Sequence, residues 1–217
     1  MDDDPGPDRA AEREAMLEWH IRARGISDRR VLDAMAAVPR ERFLPPSTAG
    51  DAYADSPLPI GHGQTISQPY IVALTAEAGR LKPGDRVLDV GTGSGYAAAV
   101  YAAIGAEVWS IEYVPQLAEQ ARAALADLPS VHVVEGDGTL GLPDQAPFDA
   151  ILAAAAGPDI PAPWIEQLAD GGRIVMPLER VAGWQQLVRA TRRGEDLALD
   201  DLGGVRFVPL RGAHGVR

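Results

Sequence analysis

Residues 86–96 read RVLDVGTGSGY, and the fold follows from them. Val87, Leu88 and Val90 make a short, nearly continuous apolar run, as expected of a strand buried on both faces. The glycines at 91, 93 and 95 permit a tight turn, and the following YAAAVYAAIG is a small-residue helix able to pack closely on a sheet. The same alternation continues downstream. EVWSIE (107–112) reads as a strand, VPQLAEQARAALADL as a helix, VHVVEGD and FDAILAA as strands, PAPWIEQLAD as a helix and GRIVMPL as a strand. Strands and helices alternating through short connections predict an α/β fold with a doubly wound, mostly parallel sheet. QQLVRATRR and VRFVPL arrive without helices between them, which predicts an antiparallel edge.

Upstream, a helical pattern runs from about Asp8 through Met16, Leu17 and Ile21 to Gly25. A second begins after Ser27, a plausible N-cap, and carries Val31, Leu32, Met35 and Val38 to Pro39. These form an expected N-terminal helical cap. The segment 40–63 is rich in proline and glycine with little period, and loops of that length inside a domain usually serve function. Pro69 suits a first helical position, so a helix is expected from Pro69 to about Arg80. Residues 1–7, acidic with two prolines and a glycine, read as a disordered lead-in. Residues 8–217 read as a single domain, with 8–63 the cap and loop and 64–217 the core.

At 217 residues the chain is long enough for one substantial core. Twenty Lys and Arg against 31 Asp and Glu give a net charge of −11, which repels phosphate backbones and anionic lipid, so neither nucleic acid nor membrane is an expected partner. The absence of cysteine excludes disulfides, thiolate metal sites and cysteine nucleophiles, and no metal site is expected. MDDDPGPDRAAERE lacks the basic start and apolar stretch of a secretory signal, and no apolar run approaches ~20 residues. The expected location is the cytoplasm.

In doubly wound sheets, ligands bind outside the carboxyl ends of the strands, where VLDVGTGSG lies. Glu112, at the end of the next strand and 21 positions after Gly91, is placed to accept hydrogen bonds from both hydroxyls of a ribose. The dinucleotide fingerprint needs a small residue where this chain has Tyr96, and no Lys-Ser/Thr pair follows the glycines. Dehydrogenase and Walker-type readings are therefore disfavoured. Asp137 and Gly138 follow the third strand near the same crevice, where the carboxylate could meet an adenine amino group. A nucleoside ligand without pyrophosphate points to S-adenosylmethionine.

The ordered set VLDVGTGSGY, VWSIE, VVEGDG, PFDAIL, GGRIVMPL and VRFVPL, joined to VPRERFLP and LPIGHGQTISQPY upstream, closely resembles the bacterial protein-L-isoaspartate O-methyltransferases. The match runs from about Leu17 to Leu210, and QTISQP is its most particular part. The resemblance implies a Rossmann-like, S-adenosylmethionine-dependent methyltransferase that esterifies the free α-carboxylate of L-isoaspartyl residues in damaged proteins and peptides. It further implies that Gln64, Thr65 and Ile66 line the junction of cofactor and substrate and that Ser67 is the active-site serine. Asp89, Gly91, Thr92, Gly93, Glu112, Asp137 and Gly138 would hold the cofactor. From the residues alone, Ser67 could equally help cap the helix opened by Pro69. His62 reads as a loop residue, since a carboxylate and a sulfonium need no base.

One departure from the family pattern is AAAAG at 153–157, where bacterial relatives often carry a hydroxyl, which leaves one polar contact to the peptide in question. Two other readings compete. A related enzyme could methylate an ordinary aspartate in a peptide natural product, and a non-catalytic nucleotide-binding module would need neither the TIS segment nor Glu112.

Overall fold

The computed structural model describes residues 9–181 and 183–216, so the lead-in expected at 1–7 lies outside the described residues. The expected first helix is present as α1 (Ala10–Met16), continued by a π turn (Leu17–Ile21) and a 3-10 turn (Arg22–Arg24) to Gly25 at φ 96°. α2 (Arg29–Ala37) differs in its cap. Asp28, not Ser27, has the extended backbone of an N-cap and accepts a hydrogen bond from the Arg30 N–H, while the N–H groups of Ser27 and Asp28 both donate to Glu77. Both residue types cap well, so only the backbone conformation separates them.

The 40–63 segment contains two 3-10 turns and the strand β1 (Leu58–Gly61), which pairs antiparallel with β2 (Gln64–Ile66). His62 sits in the turn of this hairpin at φ 52°. α3 (Pro69–Ala78) follows with Pro69 in its first turn.

Next come β3 (Arg86–Val90), α4 (Tyr96–Ala103), β4 (Glu107–Glu112), α5 (Pro115–Ala124), β5 (Val131–Glu135) and β6 (Phe148–Ala153). α6 (Ala162–Gln167) is shorter than expected because Leu168 already opens β7 (Leu168–Val181). β8 (Trp184–Arg193) and β9 (Asp196–Val205) complete a seven-stranded sheet in the order β5-β4-β3-β6-β7-β8-β9. β5 through β7 are parallel, and β8 and β9 form the antiparallel edge.

The last strand of that edge is a correction. β9 is DLALDDLGGV, and of VRFVPL only Val205 belongs to it. Residues 206–210 instead cross the carboxyl ends of the strands, with Pro209 bridging Ala156. The course of this segment is set by the Ala156 N–H donating to the Val208 carbonyl and the Leu210 N–H donating to the Ala156 carbonyl, each at 2.8 Å.

The chain winds outward through β3, β4 and β5, then returns to place β6 on the other side of β3. The carboxyl ends of β3 and β6 are thus the switch point of the sheet. One apolar cluster joins Met16, Leu17, Ile21, Val31 and Met35 of the cap to Val87 of β3 and Val100 of α4. The cap is packed into the core and so presents the β1–β2 hairpin over the switch point. Among the described residues, no helix is long and apolar enough to cross a membrane.

Candidate active site

At the switch point lies a pocket floored by Val90 and Gly91 from β3, Ile111 and Glu112 from β4, and Gly138 after β5. Gln64 and Thr65 of the hairpin form one wall, and Val208–Arg211 form another. Gly93 has φ 54°, and a Cβ there would sit 3.3 Å from Ile60 Cδ1 beneath the hairpin. At Gly138 a Cβ would fall 2.6 Å from Val90 Cγ1, so a side chain would force the strand ends apart.

Glu112 is 5% exposed and its carboxylate is held from both sides. The Gly93 N–H donates to Oε2 at 2.8 Å and the Val114 N–H to Oε1 at 2.9 Å. Each oxygen keeps a further lone-pair site, so two more donors can be accepted on the pocket side. A fixed, desolvated carboxylate beside a glycine-rich turn that presents Gly91 and Gly93 to the pocket suits a neutral diol, and the residues present therefore fit the nucleoside part of S-adenosylmethionine.

Of the positions the resemblance implied, Gln64, Thr65, Gly91, Gly93, Glu112 and Gly138 line this pocket. Ile66 is buried beneath the hairpin, and Thr92 and Asp89 lie behind the turn. Asp89 and Ser110 face each other in the β3–β4 register. Ser110 Oγ donates to Asp89 Oδ2 at 2.6 Å and lies 2.6 Å from Thr92 Oγ1. Burial, with a smaller contribution from the charge of Glu112, raises the Asp89 carboxyl to about 7 against the hydrogen bond from Ser110.

Asp137 does not line the pocket. Its Oδ1 accepts from the Thr139 N–H at 2.9 Å and Thr139 Oγ1 at 2.6 Å, and its Oδ2 accepts from the Ala213 N–H at 2.8 Å. Burial raises its carboxyl, but these hydrogen bonds outweigh burial and hold it below the usual range. The Asp137 carboxylate thus fastens segment 206–216 against the strand ends.

Sequence reading missed Tyr113, Val114 and Val208–Arg211 as pocket residues. No local signal marked Val208–Arg211, because Pro209 is compatible with an edge strand and the course of the segment is set by bonds to the distant Ala156 and Asp137.

A second, larger cleft of about 1180 Å³ opens beside the pocket and shares Thr65, Ala154 and Val208 with it. Ser67 lines this cleft. α3 has Gln68 at its N-cap position and no side-chain capping hydrogen bond, so the capping role considered for Ser67 finds no bond to carry it. Ala154 and Ala155 line the pocket where the sequence departs from the family pattern, and they offer no hydroxyl.

A family model described as protein-L-isoaspartate(D-aspartate) O-methyltransferase matches residues 11–215. A protein-L-isoaspartate O-methyltransferase of Methylorubrum extorquens is 56% identical over 209 residues, covering 95% of this chain and 91% of its own. A second, from Marinobacter nauticus, is 54% identical over 213 residues and 97% of each chain. Among solved structures, a protein-L-isoaspartate O-methyltransferase superposes with a TM-score of 0.85 at 31% identity, over 94% of this chain and 67% of the other. A Plasmodium falciparum structure described as a putative protein-L-isoaspartate O-methyltransferase, in complex with S-adenosyl-L-homocysteine, gives a TM-score of 0.79 at 26% identity over 93% and 97% of the two chains.

Proposed function

The chain belongs to the protein-L-isoaspartate O-methyltransferase family, and from that premise we propose how its own residues carry the reaction. The protein is an S-adenosylmethionine-dependent carboxyl methyltransferase acting on L-isoaspartyl residues of proteins and peptides. Bound in the pocket, S-adenosylmethionine would supply a methyl group on a positively charged sulfur; transfer to the α-carboxylate would leave a neutral thioether and a methyl ester. The ester expels methanol as the next backbone N–H closes a succinimide that water reopens in part to normal aspartate.

The observation that carries the assignment of roles is the adjoining pair of cavities, with Glu112 in the smaller and Ser67 in the larger, joined at Thr65, Ala154 and Val208. Glu112 accepts the ribose hydroxyls, Gly91, Gly93 and Gly138 let the ligand approach the backbone, and Gln64 and Thr65 close over it. Ile66, Asp89 and Thr92 support these groups from behind, and Asp137 holds the wall formed by segment 208–211. The isoaspartyl α-carboxylate is ionised near pH 7, so no base is required. What this chain supplies is alignment and exclusion of water, with the Ser67 hydroxyl donating to the carboxylate and orienting it.

We read residues 8–217 as one domain, because cap and sheet share a core. The cytoplasm is its proposed location, without nucleic-acid or membrane partners, since a net charge of −11 repels phosphate.

The test is methyl transfer to paired isoaspartyl and aspartyl peptides by the wild type and by Ser67→Ala. In the aspartyl peptide the carboxylate is one methylene away from the reacting position, and misplacement of about 1 Å costs on the order of 100-fold. Wild type is expected to favour the isoaspartyl peptide by at least that factor, and Ser67→Ala to lose turnover with unchanged melting temperature. Equal rates on both peptides would instead support methylation of an ordinary aspartate in a dedicated peptide.

A further inference from the structure

The larger cleft has two unlike walls. One is the face of α3 that carries Tyr70, Ile71 and Leu74, with the Arg24 guanidinium 3.5 Å from the centre of the Tyr70 ring and paired to Asp55 at 3.0 Å. The other is the start of β8 with the crossing segment after β9, contributing Trp184 and Phe207. Gln185 locks these two pieces together. Its Nε2 donates to the Phe207 carbonyl at 3.2 Å and its Oε1 accepts from the Phe207 N–H at 2.6 Å. The wall is therefore built at a set position, although it belongs to a hairpin end.

Trp184 is 73% exposed, the highest among the exposed large apolar side chains of the described residues, and it is the one of them that lines this cleft. An indole left in water forgoes the burial that makes tryptophan valuable in a core, yet it is the kind of anchor that dominates peptide and protein interfaces. The cleft exceeds the ~300–1,000 Å³ usual for small-molecule pockets, as suits a stretch of polypeptide. It is also continuous with the site of methyl transfer through Thr65, Ala154 and Val208. Whatever extends from a carboxylate at Ser67 must run along these walls.

We propose that Trp184 is a specificity-determining residue, covering an apolar side chain of the peptide close to the isoaspartyl residue and pressing it against the Tyr70–Leu74 face of α3. This rests on the isoaspartyl reading of the site and adds the substrate class, isoaspartyl peptides with a leucine-like or aromatic neighbour. Such segments are buried in native proteins and become available to the cleft when a damaged chain opens.

The test is steady-state methylation of a glycine-rich host peptide containing one isoaspartyl residue, with a single leucine placed in turn at each of the three positions on either side. For at least one placement, wild type is expected to lower KM on the order of tenfold relative to the all-glycine flank. Trp184→Ala should abolish that preference while changing kcat, affinity for S-adenosylmethionine and KM for the glycine-flanked peptide less than twofold. Trp184→Phe should restore most of the preference, which a merely structural role would not require. If wild type methylates all the peptides with one KM, or if Trp184→Ala keeps the preference or loses activity equally on every peptide, the inference is overturned and the isoaspartyl reading stands. If no isoaspartyl peptide is methylated, both fail.

Discussion

The role proposed for Glu112 rests on a residue type, a spacing and two backbone bonds. The carboxylate was recognisable from its place at a strand end after a glycine turn, but its orientation was not. Gly93 and Val114, which hold its two oxygens, come from separate turns that meet only because β3 and β4 are adjacent. With the carboxylate held, the two ribose hydroxyls of the proposed assignment would gain charge-assisted hydrogen bonds without ordering a flexible side chain. Glu112→Gln keeps the shape but loses the charge, and its amide nitrogen faces a backbone donor on one side. S-adenosylmethionine is expected to bind at least about tenfold more weakly, equivalent to ~1.5–3 kcal/mol, in a calorimetric titration. Affinity equal to wild type would remove Glu112 from the site. Asp137 illustrates the opposite case. It was equally legible as a strand-end carboxylate, yet it binds Thr139 and Ala213 and does not line the pocket, and no local pattern announces a partner 76 residues away.

Among the elements, the alternating core was the readable part and the coverings were not. β3, β4 and β6 announce themselves by apolar runs, and Pro69 marks the start of α3. The β1–β2 hairpin was hidden in a proline- and glycine-rich loop, because two strands of four and three residues present too little alternation to register. Segment 206–216 was hidden for the reverse reason. VRFVPL has the composition of a strand, and its actual course is set by long-range bonds: Ala156 N–H to the Val208 carbonyl, Leu210 N–H to the Ala156 carbonyl, and Ala213 N–H to Asp137. Because Val208–Arg211 wall the pocket proposed for the cofactor, weakening the last of these should be felt there. Asp137→Asn is expected to raise amide hydrogen exchange across residues 208–214 and to weaken S-adenosylmethionine binding severalfold, leaving exchange in β3 and β4 unchanged. Unaltered exchange in 208–214 would show that the segment holds without Asp137.

For the whole molecule, the buried carboxyl of Asp89 couples the centre of the sheet to pH. Its folded value of about 7 stands above the ordinary 3.8 because burial disfavours the anion. Between those values the unfolded chain releases a proton that the folded chain retains, so this group lowers stability progressively as pH rises from about 4 to about 7 and by a constant amount above that. The full effect is on the order of 4 kcal/mol. Asp89→Asn removes the titration while keeping a partner for Ser110. The stability of wild type relative to Asp89→Asn, from urea unfolding at pH 4.5 and pH 8, is therefore expected to fall with rising pH, and a difference that is flat or rises would refute it. The parallel sheet, the glycine turn with Glu112 and the QTISQP segment were legible in the residues alone, because strand burial, left-handed turns and helix starts are set by residues close to one another. Which carboxylates face the pocket, the burial of Asp89 against Ser110, the meeting of Trp184 and α3 as two walls of one cleft, and the closing of the smaller pocket by residues 208–211 were settled in the folded chain alone. Those outcomes depend on contacts between distant segments, whose free energies exist only after the chain has brought them together.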